Sequence, residues 1–204
     1  MLEWLHGSHV HPRRVRVLCR HLAPLFPPDA SVLDVGCGDG LFAKMLLERR
    51  LDLRVAGIDV LVRSDPHIPV DSFDGRVIPR DDRSIDAVLL VDVLHHAEDP
   101  LGLLREAARV ASQVVVIKDH TRQGLFAEMT LRLMDWVGNR RYGVALRYEY
   151  WSPSQWEDVF TQLGLIVQSR VTSLRLYPVP ADWVFGRGLH FVAKLGREGA
   201  RGSA

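Results

Sequence analysis

VLDVGCGDG, Val32 to Gly40, is the stretch on which the fold turns. Ser31 to Val35 reads as a short buried strand, and LFAKMLLERR, Leu41 to Arg50, has the leucine-rich composition and basic end of a helix whose dipole favours cations there. Between them, glycines at 36, 38 and 40 let backbone approach a ligand at the carboxyl end of the first strand, where open α/β sheets bind their ligands. A dinucleotide fold would place GxGxxG there, facing a pyrophosphate. Here the spacing is GxGxG, flanked by Asp34 and Asp39, whose charges repel a diphosphate and suit a cationic, ammonium-bearing, sulfonium-like ligand. Asp59 ends the next strand in VAGIDV, nineteen residues beyond Gly40, where a carboxylate can accept hydrogen bonds from both hydroxyls of a ribose.

Outward from this turn the chain alternates strand and helix. A helix is expected from about Pro12 to Phe26, stopped by Pro27-Pro28. Arg54–Ile58, Ile85–Val91 and Val114–Lys118 are further strands, each too apolar to have one wet face, and so belong inside a parallel sheet. PLGLLREAARVA is a helix with Asp99 at its N-cap and Pro100 in its first turn. SPSQWEDVFTQLGL opens with Ser152 and Gln155 at capping-box spacing and closes at Gly164. LIVQSRVTSL and HFVAKL follow as a late pair of strands, suited to an antiparallel addition at the C-terminal edge of the sheet. The fold class is α/β, a Rossmann-like doubly wound, mostly parallel sheet with helices on both faces.

These residues resemble the class I S-adenosylmethionine-dependent methyltransferases, and more closely the type 11-like small-molecule methyltransferases with paired histidines in the fourth motif. The resemblance runs through VLDVGCGDG, GID, FDGRVIP, SIDAVLLVDVLHHAEDP and LLREAARV, and covers roughly Ala30 to His120. It implies an S-adenosylmethionine site with Asp34, Gly36, Cys37 and Gly38 around the methionine portion and Asp59, next to Val60, on the ribose. It also implies Asp74 accepting from the adenine amino group with Gly75 beside it, and Asp92 lining the pocket. One stretch departs from the family: LVRSDPHIP, Leu61 to Pro69, is too short and proline-rich for a full crossover helix. Alone, a glycine turn is as compatible with a tight structural bend as with a cofactor loop; its pairing with Asp59 and Asp74 decides.

With 204 residues, one domain is the default, divided as a helical segment at 1–28, a helical insertion at 121–151 and a small polar tail at 196–204 expected to be disordered. The 26 basic and 25 acidic residues nearly cancel, so no global charge draws the chain to nucleic acid or to an anionic membrane. No stretch approaches the ~20 apolar residues of a membrane span. His6, His9, His11, Arg13 and Arg14 stand where a secretory peptide would need an apolar run, so a cytoplasmic location is expected. Cys19 and Cys37 form neither a CxxC pair nor a zinc-spaced cluster, and no metal is expected. Cys37 reads as a small residue packed in a tight loop.

The expected reaction is in-line displacement at a sulfonium methyl by an oxygen, nitrogen or carbon nucleophile of a small-molecule acceptor. His95, His96 and His120 are candidate general bases, since an unperturbed imidazole titrates near neutral pH. Asp119 beside His120 is a plausible orienting carboxylate. The DPPY-type and PC motifs of nucleic-acid methyltransferases are absent, so no nucleic-acid partner is expected. GLFAEMTLRLMDWVG, Gly124 to Gly138, is apolar nearly all round; it is either core or a cap over the acceptor, with Leu125, Phe126, Met129, Leu133 and Trp136 as apolar bulk and Arg140, Arg141 and Arg147 for a polar end. YPVPADWVFGRGL would form the opposite wall, and Tyr142, Tyr148, Tyr150 and Trp151 pack nearby. The rival readings are a nicotinamide-dependent oxidoreductase, opposed by the GxGxG spacing and Asp34, and a non-catalytic cofactor-binding scaffold. Oligomeric state is not legible.

Overall fold

A computed structural model describes residues 11–139 and 147–197. Among the described residues, seven strands form one sheet: β1 (Ser31–Val35), β2 (Arg54–Asp59), β3 (Val70–Ser72), β4 (Ile85–Val91), β5 (Ala111–His120), β6 (Leu165–Val171) and β7 (His190–Arg197). Their order is β3-β2-β1-β4-β5-β7-β6. The first five pair in parallel, and β7 runs antiparallel to both of its neighbours, inserted between β5 and the edge strand β6. The order reverses at β1 and β4, which puts the glycine turn and the loop after β4 side by side at the switch point of the sheet.

Alternation along the strands feeds two cores. On one face, Val88 and Leu90 of β4 pack with α3 (Pro100–Val110) and α5 (Pro153–Gln162) through Leu104, Trp156 and Phe160. On the other, Ala87 and Leu89 pack with α1 (His11–Leu22) and α2 (Leu41–Arg49) through Leu18, Leu22 and Leu46. Fully buried leucines of this kind contribute about 1.5–3 kcal/mol each, so a sheet covered on both sides needs no staple.

The local punctuation holds. Asp99 accepts from the Gly102 N–H at 2.8 Å, Ser152 and Gln155 form a capping box, and Gly164 has φ +62°. The first helix gives way to a 3₁₀ turn at Ala23–Leu25. No helix forms between β2 and β3, as the prolines of that stretch require; instead Ile68 is tucked against Gly40. β3 was not foreseen, because three residues of which two are polar carry no readable alternation.

Among the described residues, no helix is long and apolar enough to cross a membrane. Gly196 and Arg197 belong to β7, so the polar tail begins no earlier than residue 198. Residues 1–10 and 198–204, with the histidines at 6 and 9, lie outside the described residues, as do Arg140, Arg141 and Tyr142 of the insertion.

Candidate functional site

Two clusters meet at the carboxyl edge of the sheet. The first is built on the glycine turn. Gly36, Gly38 and Gly40 have φ of +71°, +61° and +76°, but they do different work. A Cβ on Gly36 would lie 2.6 Å from Val93 Cγ2, and one on Gly40 2.6 Å from Ile68 Cγ1, so these two admit neighbouring loops. A Cβ on Gly38 would meet nothing within 4 Å: here the turn opens a cradle. Cys37 is turned away from it, with Sγ 2.6 Å from where a Cβ on Gly57 would stand, and burial holds its thiol well above the ordinary range. Its expected contact with the methionine portion is therefore left to its backbone.

Asp59 closes the cradle. Its Oδ2 accepts from the Gly38 N–H at 2.7 Å and its Oδ1 from the Leu61 N–H at 2.8 Å, leaving lone pairs on both oxygens. Asp34, at the end of β1, is 2% exposed, and burial with the nearby Asp59 carboxylate pushes its carboxyl up to about 8. Two acids crowded at one turn create a demand for a cation, which fits an ammonium group. Val60 and Leu61 are 53% and 41% exposed, an apolar shelf. Gly75 backs that shelf, since a Cβ there would stand 3.0 Å from Val60 Cγ1. Asp74 is at its rim, one carboxylate oxygen accepting from Arg76 and Val77 N–H groups, which hold it below its usual range. Cradle, ribose-type carboxylate and flat apolar shelf with an acceptor at its edge fit the methionine, ribose and adenine parts of S-adenosylmethionine.

The second cluster lies past the ends of β4 and β5. Asp92, with φ +58°, receives Arg14 of α1 at 2.5 Å and the buried Lys118 ammonium, and these cations, against its burial, hold it well below the carboxylate range. Lys118 is itself lowered to about 8 by burial, which Asp92 only partly offsets. It also reaches His190 Nδ1 at 3.3 Å, while His190 Nε2 meets the Phe185 carbonyl at 2.9 Å. That assigns the tautomer: His190 donates through Nε2 and accepts from Lys118.

Asp119 is fully buried. Its Oδ1 is 2.5 Å from His95 Nδ1 and accepts from the His120 N–H at 2.7 Å, and its Oδ2 accepts from Leu94 at 3.1 Å. Ligand atoms of His95, Asp119 and His120, and of His95, His96 and Asp135, lie within 4.8 Å of one another, close enough to surround a metal ion. His120 Nδ1 stands 3.4 Å from His95 Nδ1. Burial, then the charges of Lys118 and His95, push His120 well below the usual histidine range, and burial with His95 lowers His96. His95 goes the other way: burial opposes its charge, yet Asp119 and Asp135 raise it to about 10.

The insertion joins this cluster. α4 (Ala127–Asn139) turns Ala127, Leu131 and Met134 toward Tyr150 and Leu189, and brings Asp135 to the histidines. Of the residues expected as apolar bulk, Leu125, Phe126, Met129, Leu133 and Trp136 are 80, 68, 65, 51 and 47% exposed. With 3.6 residues per turn, Met129, Leu133 and Trp136 share the stripe of α4 opposite the packed one, while Leu125 and Phe126 lie in the turn before it. α6 (Ala181–Phe185) packs beside α4, and Arg187 donates to the Leu125 carbonyl at 3.0 Å. Arg14, Lys118, Asp135 and His190 were missed in the sequence. Only Lys118 carried a local signal, a charge at the end of the apolar run VVVIK.

Comparison with known proteins gives the same frame. A family model described as a methyltransferase domain matches residues 8–170. An uncharacterized methyltransferase of Mycobacterium tuberculosis is 34% identical over 102 residues, 43% of this chain and 42% of that protein. A ubiquinone biosynthesis O-methyltransferase of Xanthomonas campestris is 37% identical over 93 residues, 40% of this chain and 38% of that protein. Each alignment thus spans less than half of the curated relative. A solved S-adenosylmethionine-dependent methyltransferase from Mesorhizobium loti superposes with a TM-score of 0.63 at 16% identity, covering 87% of this chain and 96% of that one, which speaks to fold.

Proposed function

Because the chain belongs to the methyltransferase domain family, we propose that it transfers the methyl group of S-adenosylmethionine to a small, hydrophobic or amphipathic acceptor held over the ends of β4 and β5. Bound in the cradle, S-adenosylmethionine supplies an electrophilic methyl carbon on a sulfonium. Asp34 faces its ammonium group, Asp59 its ribose, and Val60, Asp74 and Gly75 its adenine. Asp92 stands between the two clusters, its charge already matched by Arg14 and Lys118.

The observation that carries the catalytic reading is the cluster of imidazoles past the ends of β4 and β5, with the His95 ring 4.0 Å from that of His96 and 4.5 Å from that of His120. Burial, with the charge of His95, lowers His96 and pushes His120 well below the usual histidine range, which favours their neutral forms. A neutral imidazole has a free lone pair for the proton of an acceptor hydroxyl, and such general-base help is worth about 10²–10⁴ in rate. With a methyl donor bound in the cradle, His120 would take the proton of the acceptor hydroxyl as its oxygen is methylated. Alignment supplies the larger share of the acceleration. The aromatic rings of Tyr150 and Tyr177 near His120 and His190, with exposed Val179, Trp183 and Val184 beside α4, support an apolar acceptor. The O-methyltransferase name of the Xanthomonas relative supports an oxygen.

The test is transfer of labelled methyl from S-adenosylmethionine to a panel of phenols, quinols, fatty amines and polar metabolites. Turnover is expected with apolar hydroxyl compounds, and His120→Gln should lower kcat about 10²-fold with cofactor affinity unchanged. Labelling confined to hydrophilic compounds would refute the acceptor class.

A further inference from the structure

A charge out of water costs several kcal/mol unless a partner compensates it. Asp135 of α4 is 4% exposed. It accepts a short hydrogen bond from the Tyr150 hydroxyl, and its Oδ1 lies 3.6 Å from His95 Nε2. His95 is equally buried, and its Nε2 makes no hydrogen bond among the described residues, leaving Asp135 as its ion-pair partner on that side. Its other nitrogen is 2.5 Å from Asp119 Oδ1.

We infer that His95 is a positioning residue and not the base: it bridges two buried carboxylates, Asp119 on the sheet and Asp135 on α4, and so fastens the wall of the acceptor pocket to the reactive edge. The pocket's use rests on the function proposed above; the clasp rests on the geometry alone. A neutral imidazole carries one N–H and would leave one carboxylate facing a lone pair, whereas the imidazolium offers a donor to each. The groups around it are Asp119, His120 and Lys118 from β5, His96 from its own turn, Asp92 from the end of β4, Asp135 from α4 and Tyr150 from the segment after α4. The carboxylates outweigh burial, and the ring is charged at neutral pH. That standing charge, with ring centroids 4.0 Å from His96 and 4.5 Å from His120, helps keep those two imidazoles neutral. The clasp therefore orders α4 against the reactive edge and keeps the His120 imidazole neutral.

The test uses the full chain labelled with ¹⁵N and two-bond ¹H–¹⁵N spectra of the histidine rings from about pH 6 to about pH 11, the His95 signals assigned by their loss in His95→Asn. At about pH 8 both His95 nitrogens should be protonated, while His120 shows a single ring proton. Asp135→Asn is close to isosteric and keeps an acceptor for Tyr150. It should move the His95 titration down by at least about one pH unit and speed amide exchange across residues 127–139 at least about tenfold. A neutral His95 ring in the parent at that pH, or a ring nitrogen bound to a metal ion, would overturn the inference. So would an Asp135→Asn protein with unchanged titration and exchange. Absence of methyl transfer alongside an intact imidazolium signal would refute the proposed function and leave the clasp supported.

Discussion

The Gly38 N–H donates to Asp59 Oδ2 at 2.7 Å, and this one bond joins the glycine turn after β1 to the carboxylate that ends β2. Asp59 thus shapes the cradle as well as lining it. Asp59→Ala should cost fold and ligand together: about 1–3 kcal/mol of stability from stranding two backbone donors, and about 1.5–3 kcal/mol of cofactor binding. Asp59→Asn should lose less of the former. Melting curves and calorimetry separate the two. Equal affinity in Asp59→Ala and parent, with the fold intact by circular dichroism, would move the ribose contact elsewhere.

Gly36 and Gly38 look alike in the sequence and differ in space. Gly36→Ala drives a methyl into Val93 at 2.6 Å, so it should lower the melting temperature sharply with or without cofactor. Gly38→Ala meets open space and pays mainly for its left-handed backbone, about 1–2 kcal/mol. Gly38→Val should in addition weaken S-adenosylmethionine binding at least about tenfold, because its side chain fills the cradle. A Gly38→Val protein that binds as the parent does would show that the cradle is not the cofactor's.

Asp34 makes stability and binding depend on pH in opposite senses. Its carboxyl sits at about 8 in the fold and near about 3.9 in an unfolded chain. Between those values the folded state keeps a proton that the unfolded chain has lost, so the contribution of this group falls as pH rises from about 4 to about 8. Asp34→Asn cannot ionise and should gain on the parent in melting temperature as pH climbs through that window. A cationic ligand drives the proton off. Calorimetric enthalpies of S-adenosylmethionine binding at about pH 7 should then differ between buffers of low and high ionisation enthalpy in the parent and not in Asp34→Asn. Identical enthalpies in both buffers would remove Asp34 from the ammonium contact.

What could be read in advance follows a physical division. Asp99, Ser152, Gln155 and Gly164 act within one turn of their own helices, so their spacing alone announces them. The parallel strands announce themselves because burial on both faces leaves unbroken apolar runs such as Ala87 to Val91. The position of the proposed cofactor residues was legible for the same reason: Asp34, Gly38 and Asp59 sit at strand ends, where the topology makes position predictable. The second cluster was not. Asp135, Lys118, Arg14 and His190 come from four separate elements, and only packing decides that they meet. α4 was ambiguous for a related reason: apolar on both sides, it gives no periodicity to say which stripe packs inward, and the stripe of Met129, Leu133 and Trp136 is the exposed one.

The central claim is that the cradle between Gly38 and Asp59 holds S-adenosylmethionine, and titration calorimetry of the full chain with that ligand, its demethylated product and NAD tests it most directly. One site per chain with micromolar affinity for the first two and no heat for NAD is the predicted result. Binding of NAD, or no heat from S-adenosylmethionine at millimolar concentration with a folded protein in the cell, would contradict it.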